Sequence, residues 1–202
     1  METFLKNHTS LSVINFNEIA EKILNQSCLM INDSPCRICE IEFYYYSNDH
    51  CDSYTHAHLD QLHWSKWYFH RFNNGTYKNG HYKGVDISIG DGKDSRGGIL
   101  IRSIYDPIDN IFIEGPCKVV NHILEKYLVN SISEFVDNQM LSVIENQYNL
   151  ILKDCEPGEN QEKIFIGRRI GLSDKYPEFR DLKYRYVIGP VKKEKRSLQV
   201  LN

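Results

Sequence analysis

Cys39-Glu40-Ile41-Glu42-Phe43-Tyr44-Tyr45-Tyr46 decides the fold. In an extended chain Cys39, Ile41, Phe43 and Tyr45 fall on one face, and Glu40, Glu42, Tyr44 and Tyr46 on the other. The first face suits a core, so a strand over 38–46 belongs inside a half-buried sheet. The second carries two carboxylates and two rings on one side, neighbours ~7 Å apart along the strand. Such a face is either solvated, with tyrosine there for its strand propensity, or the wall of a pocket. The surroundings favour the pocket. Twelve Phe, Tyr and Trp residues crowd into 43–82, half of the chain's total, and six of the eight histidines (50, 56, 58, 63, 70, 81) lie in 48–82. A site that stacks a flat ligand accounts for that concentration; a solvated face does not.

Upstream, Ile19, Ala20, Ile23 and Leu24 recur at helical spacing within 17–26. A brief apolar strand over 28–31 then meets the turn cluster Asn32-Asp33-Ser34-Pro35, which predicts a hairpin. Downstream, strands are predicted at 66–71, 84–90 and 98–105. Pro116 opens a helix whose buried stripe is Val119, Val120, Ile123 and Leu124. Ser131-Ile132-Ser133-Glu134 reads as a capping box for a longer helix to about Leu152. A polar loop with Pro157-Gly158 follows, then late strands at 164–166 and 184–188, and a frayed tail with Lys192, Lys193, Lys195 and Arg196. No period of 20–50 residues recurs. The expectation is one α+β domain, a mostly antiparallel curved sheet with flanking helices over 16–190, between an N-terminal segment (1–15) and a basic tail (191–202).

Composition agrees with one domain: 202 residues, 41% hydrophobic and 25% charged. No apolar run approaches the ~18–20 residues of a membrane span, and the first eight residues lack a signal-peptide core. A monomeric intracellular protein without a membrane partner is expected. The net charge of −3 supplies no general pull toward nucleic acid. Six cysteines in a chain this long read as reduced thiols. The Cys36-Arg37-Ile38-Cys39 pair lies on a strand, where an offset of three puts the sulfurs on opposite faces, so it reads as structural. Cys51, His56, His58 and His63 offer zinc donors, but no further pattern completes a ligand set. The glycine-rich run 90–98 lacks the Gly-Lys-Ser/Thr ending of a phosphate loop and is expected as a hairpin tip. No Gly-x-Ser-x-Gly elbow is present.

Together these segments resemble the alkyladenine (3-methyladenine) DNA glycosylases, which excise damaged purines. The resemblance begins with the helix and strand 19–29 and continues through Glu40-Ile41-Glu42-Phe43-Tyr44, His56, Trp67-Tyr68-Phe69-His70 and Gly84-Val85-Asp86-Ile87. It goes on through Ile99-Leu100-Ile101-Arg102, Gly115-Pro116-Cys117-Lys118, Arg169-Ile170-Gly171-Leu172 and Tyr184-Arg185-Tyr186-Val187, in order over 16–188. It implies that fold, and Glu42 as the general base that activates water. It also implies Arg102 as its catalytic partner, Tyr44, His56, Tyr68, His70 and Asp86 as substrate-binding residues, and no metal or cofactor. The implied partner is DNA with a damaged purine. Two positions depart from the pattern: His70 stands for a tyrosine, and Asp86 for an amide, so the base edge preferred there should differ.

Between 43 and 110 eight acids face seven bases, whereas duplex binding leans on an excess of Lys and Arg. Two other functions therefore stay open. One is an N-glycosidase of nucleosides, nucleotides or RNA; the other is a non-catalytic nucleic-acid-binding relative.

Overall fold

The computed structural model describes residues 15–137, 141–155, 161–189 and 198–201. All but Asn15 of the predicted N-terminal segment, Pro157-Gly158 and the basic residues of the tail lie outside them.

The first helix, α1 (Phe16–Asn25), buries Phe16, Ile19, Ala20, Ile23 and Leu24. Phe16 stacks on Phe43, with ring centroids 4.2 Å apart. The chain then forms β1 (Ser27–Ile31) and the 14-residue β2 (Ser34–Ser47), paired antiparallel from Ile31 opposite Ser34. Asn32 takes the left-handed conformation in the two-residue turn, a conformation asparagine tolerates. Short β3 (His50–Cys51) folds back on β2. Then come β4 (Trp67–Phe69), β5 (Val85–Ser88), β6 (Arg96–Asp106) and β7 (Ile111–Glu114). Helices α2 (Pro116–Lys126), α3 (Ile132–Val136) and α4 (Pro177–Arg180) alternate with β8 (Ile151–Asp154), β9 (Phe165–Gly167), β10 (Arg185–Val187) and β11 (Gln199–Val200).

Every pairing among these strands is antiparallel. The main sheet runs β11-β9-β10-β2-β6-β5-β4, so β2 sits near its middle, with β1, β3 and β7 attached beside it. The expected α+β architecture is therefore present: one domain with an open antiparallel sheet and a few helices. Cys39, Ile41, Phe43 and Tyr45 face the core as their alternation requires, and Val119, Val120, Ile123 and Leu124 of α2 join them.

Three expectations are corrected. The helix predicted from Ser131 to about Leu152 ends at Val136. Its cap is present, Ser131 Oγ accepting from the Glu134 amide at 3.1 Å, but Asp137 turns left-handed. Leu141, Val143 and Leu150 then reach the core from extended chain beside β4, through Trp67 N to Leu141 O and Val143 N to Ser65 O. Strand β7, which the sequence reading left out, closes a hairpin with β6. Finally, Gln199–Val200 pairs with β9, so the end of the tail expected to fray belongs to the sheet.

Candidate active site

The strand registers set one line of residues across the sheet. Tyr68 opposes Asp86, Asp86 opposes Leu100, Leu100 opposes Glu42 and Glu42 opposes Arg185. Directly opposed residues share a face, so side chains from β4, β5, β6, β2 and β10 rise together at strand spacings of ~4.8 Å. In the next row Tyr44 opposes Gly98. A Cβ at Gly98 would stand 2.4 Å from Asp86 Oδ2, so the absent side chain is what lets the Asp86 carboxylate lean along β6. Gly84 does the same for His70, whose ring lies 2.6 Å from where a Cβ would be.

Between Ile38 and Ile41 the β2–β6 ladder slips, leaving Cys39 and Arg102 without directly opposed partners. Such irregularities re-aim side chains. Arg102 turns across both acids, donating from Nε to Glu40 Oε1 at 3.0 Å and from Nη1 to Glu42 Oε2 at 3.3 Å. Arg185 Nε reaches the same Glu40 oxygen at 2.6 Å. Glu42 is fully buried. It also accepts from Tyr44 Oη at 2.8 Å and from the Ile170 amide at 2.7 Å. The solvated-face reading of Glu40 and Glu42 is thereby overturned.

Tyr44, the donor to Glu42, forms part of a cavity of about 140 Å³ shared with His56, His70 and Asp86, which Glu42 and Arg102 do not themselves line. Four of the predicted substrate-binding residues thus meet in one place, and Leu100 and Leu172 supply apolar wall. His56 and His70 have ring centroids 4.3 Å apart at 73°. Tyr68 stands one layer back, almost completely buried, with its ring 6.0 Å from His56 and 5.8 Å from His70. It borders the neighbouring groove rather than the cavity.

The sequence reading missed several participants. Gln61, from the 3₁₀ turn Leu59–Leu62, lines the cavity and donates from Nε2 to Asp86 Oδ2 at 3.0 Å, while its Oε1 is buried without a partner. His70 Nε2 lies 2.7 Å from Asp86 Oδ1, so the two residues that depart from the glycosylase resemblance form a pair. Tyr54 completes the wall. Beneath Tyr44 the Arg169 guanidinium carbon sits 4.6 Å from the ring centroid. That guanidinium is tied to Asp52 and to the Phe43 and Phe179 carbonyls, and both ion-pair side chains are wholly buried. Nothing in the spacing of Asp52 and Arg169 announces their partnership. The acid cluster at Glu40 was visible as alternation, but not its sharing between two arginines.

No protein-family model matches the chain. Over 211 residues it is 42% identical to "Uncharacterized protein L759" of Acanthamoeba polyphaga mimivirus, a match covering 98% of this chain and 97% of that protein. The chain belongs to the L759 family.

The electrostatics of this L759-family site follow from burial. Burial pushes the Glu42 carboxyl above the ordinary carboxylate value, against the opposing pull of Arg102, the Ile170 amide and Tyr44. Burial and the adjacent Glu42 raise the Tyr44 phenol well above its usual range, keeping it a donor. His56 is held below the usual imidazole range by burial and by neighbouring His70. Its Nε2 lies 3.1 Å from Lys78 Nζ; an ammonium only donates, so Nε2 accepts. Two larger clefts flank the cavity. One, about 590 Å³, shares His56 and includes Tyr68, Arg71, Phe72 and Lys78. The other, about 370 Å³, shares Leu172 and includes Arg168, Arg169 and Arg180.

The four residues weighed as zinc donors, Cys51, His56, His58 and His63, form no metal-compatible cluster among the described residues. His58 Nδ1 accepts from the Asp60 amide, and Cys51 turns to the Ser47 carbonyl. Among the described residues one metal-compatible group stands elsewhere: Cys36, Asp106 and His122, with donor atoms within 4.8 Å of one another. Lys126 Nζ lies 2.9 Å from Asp106 Oδ2, and Ser34 Oγ donates to Oδ1. A resident ammonium opposes a second cation, so this cluster reads as an ion-pair hub joining β2, β6 and α2. Both sulfurs of the 36–39 pair are free and buried, and burial raises each thiol to about 12.

Proposed function

We propose that the protein is a base-excision N-glycosylase that hydrolyses the glycosidic bond of an extruded, damaged purine in DNA. The observation that carries this reading is the position of Glu42: a buried carboxyl that accepts from Tyr44, the tyrosine that fronts a ring-lined cavity. Extrusion is needed because the sugar carbon cannot be reached inside a duplex, and unstacking costs a few kcal/mol, least for a damaged base. At about 140 Å³ the cavity is smaller than the ~300–1,000 Å³ of drug-sized sites. It suits a single flat ring system, leaving sugar and phosphate at the mouth.

In this mechanism Glu42 takes a proton from a water admitted beside Tyr44. The water oxygen bonds to the sugar carbon as the carbon–nitrogen bond breaks, and the bonding pair leaves with the base. The base takes up a solvent proton unless alkylation has already given it positive charge. Deprotonated Glu42 also offsets the charge of the oxocarbenium-like transition state. Arg102 orients the carboxylate, and a raised carboxyl suits a proton acceptor working near neutral pH.

Release of free base from methylated DNA by wild type and by Glu42→Gln is the direct test. The variant should be slower by ~10²-fold or more; equal rates, or no release by either, end this reading. The flanking clefts with Arg71, Lys78, Arg168 and Arg180 support a polymer. The cavity sized for a single base and the net charge of −3 support instead a free nucleoside. Salt separates the two, because strand binding weakens steeply as ionic strength rises, whereas binding of an uncharged nucleoside does not.

A further inference from the structure

The polar groups around the cavity are unequally occupied. Most of its side-chain donors are engaged within the protein. Tyr44 Oη donates to Glu42, Gln61 Nε2 to Asp86, and Tyr54 Oη to the Ser173 carbonyl. His70 Nε2 faces Asp86, and its other nitrogen lies against Gly84. The donors that remain are the second N–H of Gln61 and the His56 nitrogen opposite its Lys78 contact, which lies at the rim. Acceptors are left over. Asp86 is a carboxylate with room for about four hydrogen bonds, and the described side chains bring it two, from His70 and Gln61. Because Gln61 must present its nitrogen to that carboxylate, its oxygen is fixed as an acceptor, and this atom is buried without a partner. The clearance at Gly98 shows that Asp86 is accommodated by design of the backbone rather than by chance crowding.

We propose that the cavity selects a 6-aminopurine, of the adenine type, over its deaminated 6-oxopurine counterpart, hypoxanthine. An exocyclic amino group brings N–H donors to a wall with surplus acceptors. Hypoxanthine replaces that amino group with a 6-oxygen, a further acceptor, and on that edge keeps a single donor, N1–H. This deepens the glycosylase reading by naming its substrate class, and it rests on that reading for the cavity's role. Discrimination through hydrogen bonds is sharp because the mismatched partner leaves buried groups unpaired.

The test is equilibrium binding of free adenine, guanine and hypoxanthine to the full-length protein by calorimetry, beside base release from oligonucleotides carrying each alkylated or deaminated purine. Adenine should bind ~10-fold or more tightly than hypoxanthine, and more tightly than guanine, which shares the 6-oxygen and N1–H of hypoxanthine. Asp86→Asn, which exchanges an acceptor for a donor, should shrink or invert that ratio. Equal affinities, or tighter hypoxanthine binding by wild type, overturn the proposal even if every base is excised. Selective base binding without excision would instead leave the specificity intact and remove the glycosylase reading. No binding and no excision would remove both. The wild-type comparison decides the matter even if the variant fails to fold.

Discussion

Glu42 is the residue on which the proposed chemistry turns, and its surroundings give that chemistry a pH signature. Burial raises the carboxyl above 4.5, while Tyr44, Arg102 and the Ile170 amide each favour the charged form. A general base must be deprotonated, so the acid limb of the single-turnover pH–rate profile should lie above pH 4.5. Removing the phenol in Tyr44→Phe takes away one stabiliser of the carboxylate. The limb should therefore move to higher pH, and an unmoved limb would show that another group titrates. At this scale the sequence was informative where chemistry repeats with period two: Glu42 and Tyr44 were legible as neighbours on one face. That the face is buried was not, because burial depends on the Ile170 amide and Arg185, both distant along the chain.

Among the elements, β6 illustrates how a strand shapes a site by what it lacks. A methyl group at Gly98 would collide with Asp86, so Gly98→Ala should cost ~1–3 kcal/mol of stability, as overpacking does. Combining it with Asp86→Ala should recover part of that loss, a non-additivity measurable by urea unfolding of the four proteins of the cycle. Additive losses would place the clash elsewhere. Elements marked by turn chemistry or by a clear amphipathic period were readable in advance, as α1, α2 and the β1–β2 hairpin show. The stretch after Ser131 misled because Leu141, Val143 and Leu150 are core residues that arrive on extended chain, where local spacing says little about the partner strand. Four-residue β7 was hidden between the turn residues Asp109-Asn110 and Gly115, although its apolar run Ile111-Phe112-Ile113 was there to be seen.

For the whole molecule, two buried ionic groups hold distant parts together. Arg169 and Asp52 are both inaccessible to solvent, so Asp52→Ala strands a guanidinium and should cost ~3–5 kcal/mol. For a chain of this size that is roughly 10 °C in the thermal midpoint; a shift under about 2 °C would show that Arg169 finds other partners. Asp106 behaves differently. Burial alone would raise its carboxyl, but hydrogen bonds from Lys126, Ser34 and the 108–109 backbone outweigh it and leave the group below its ordinary value of 3.8. A depressed carboxylate stabilises the fold above the unfolded-state value and loses that contribution as pH falls below it. The thermal midpoint of Asp106→Asn should accordingly fall less steeply than that of wild type between pH 5 and pH 2 (about the range where unfolded carboxylates titrate). Parallel curves would assign the acid sensitivity to other groups. At this scale the sequence disclosed the crowding of rings and imidazoles between 43 and 82, but not the pairings that join Asp52 to Arg169 or Asp106 to α2.

The line from Tyr68 to Arg185 draws one side chain from each of five strands. A single-position misalignment of any interior strand would invert its contribution, presenting Ile99 or Ile101 where Leu100 belongs. A misthreaded sheet could remain compact and still lack the cavity, which makes the proposed base binding a stricter assay of correct assembly than compactness or helix content.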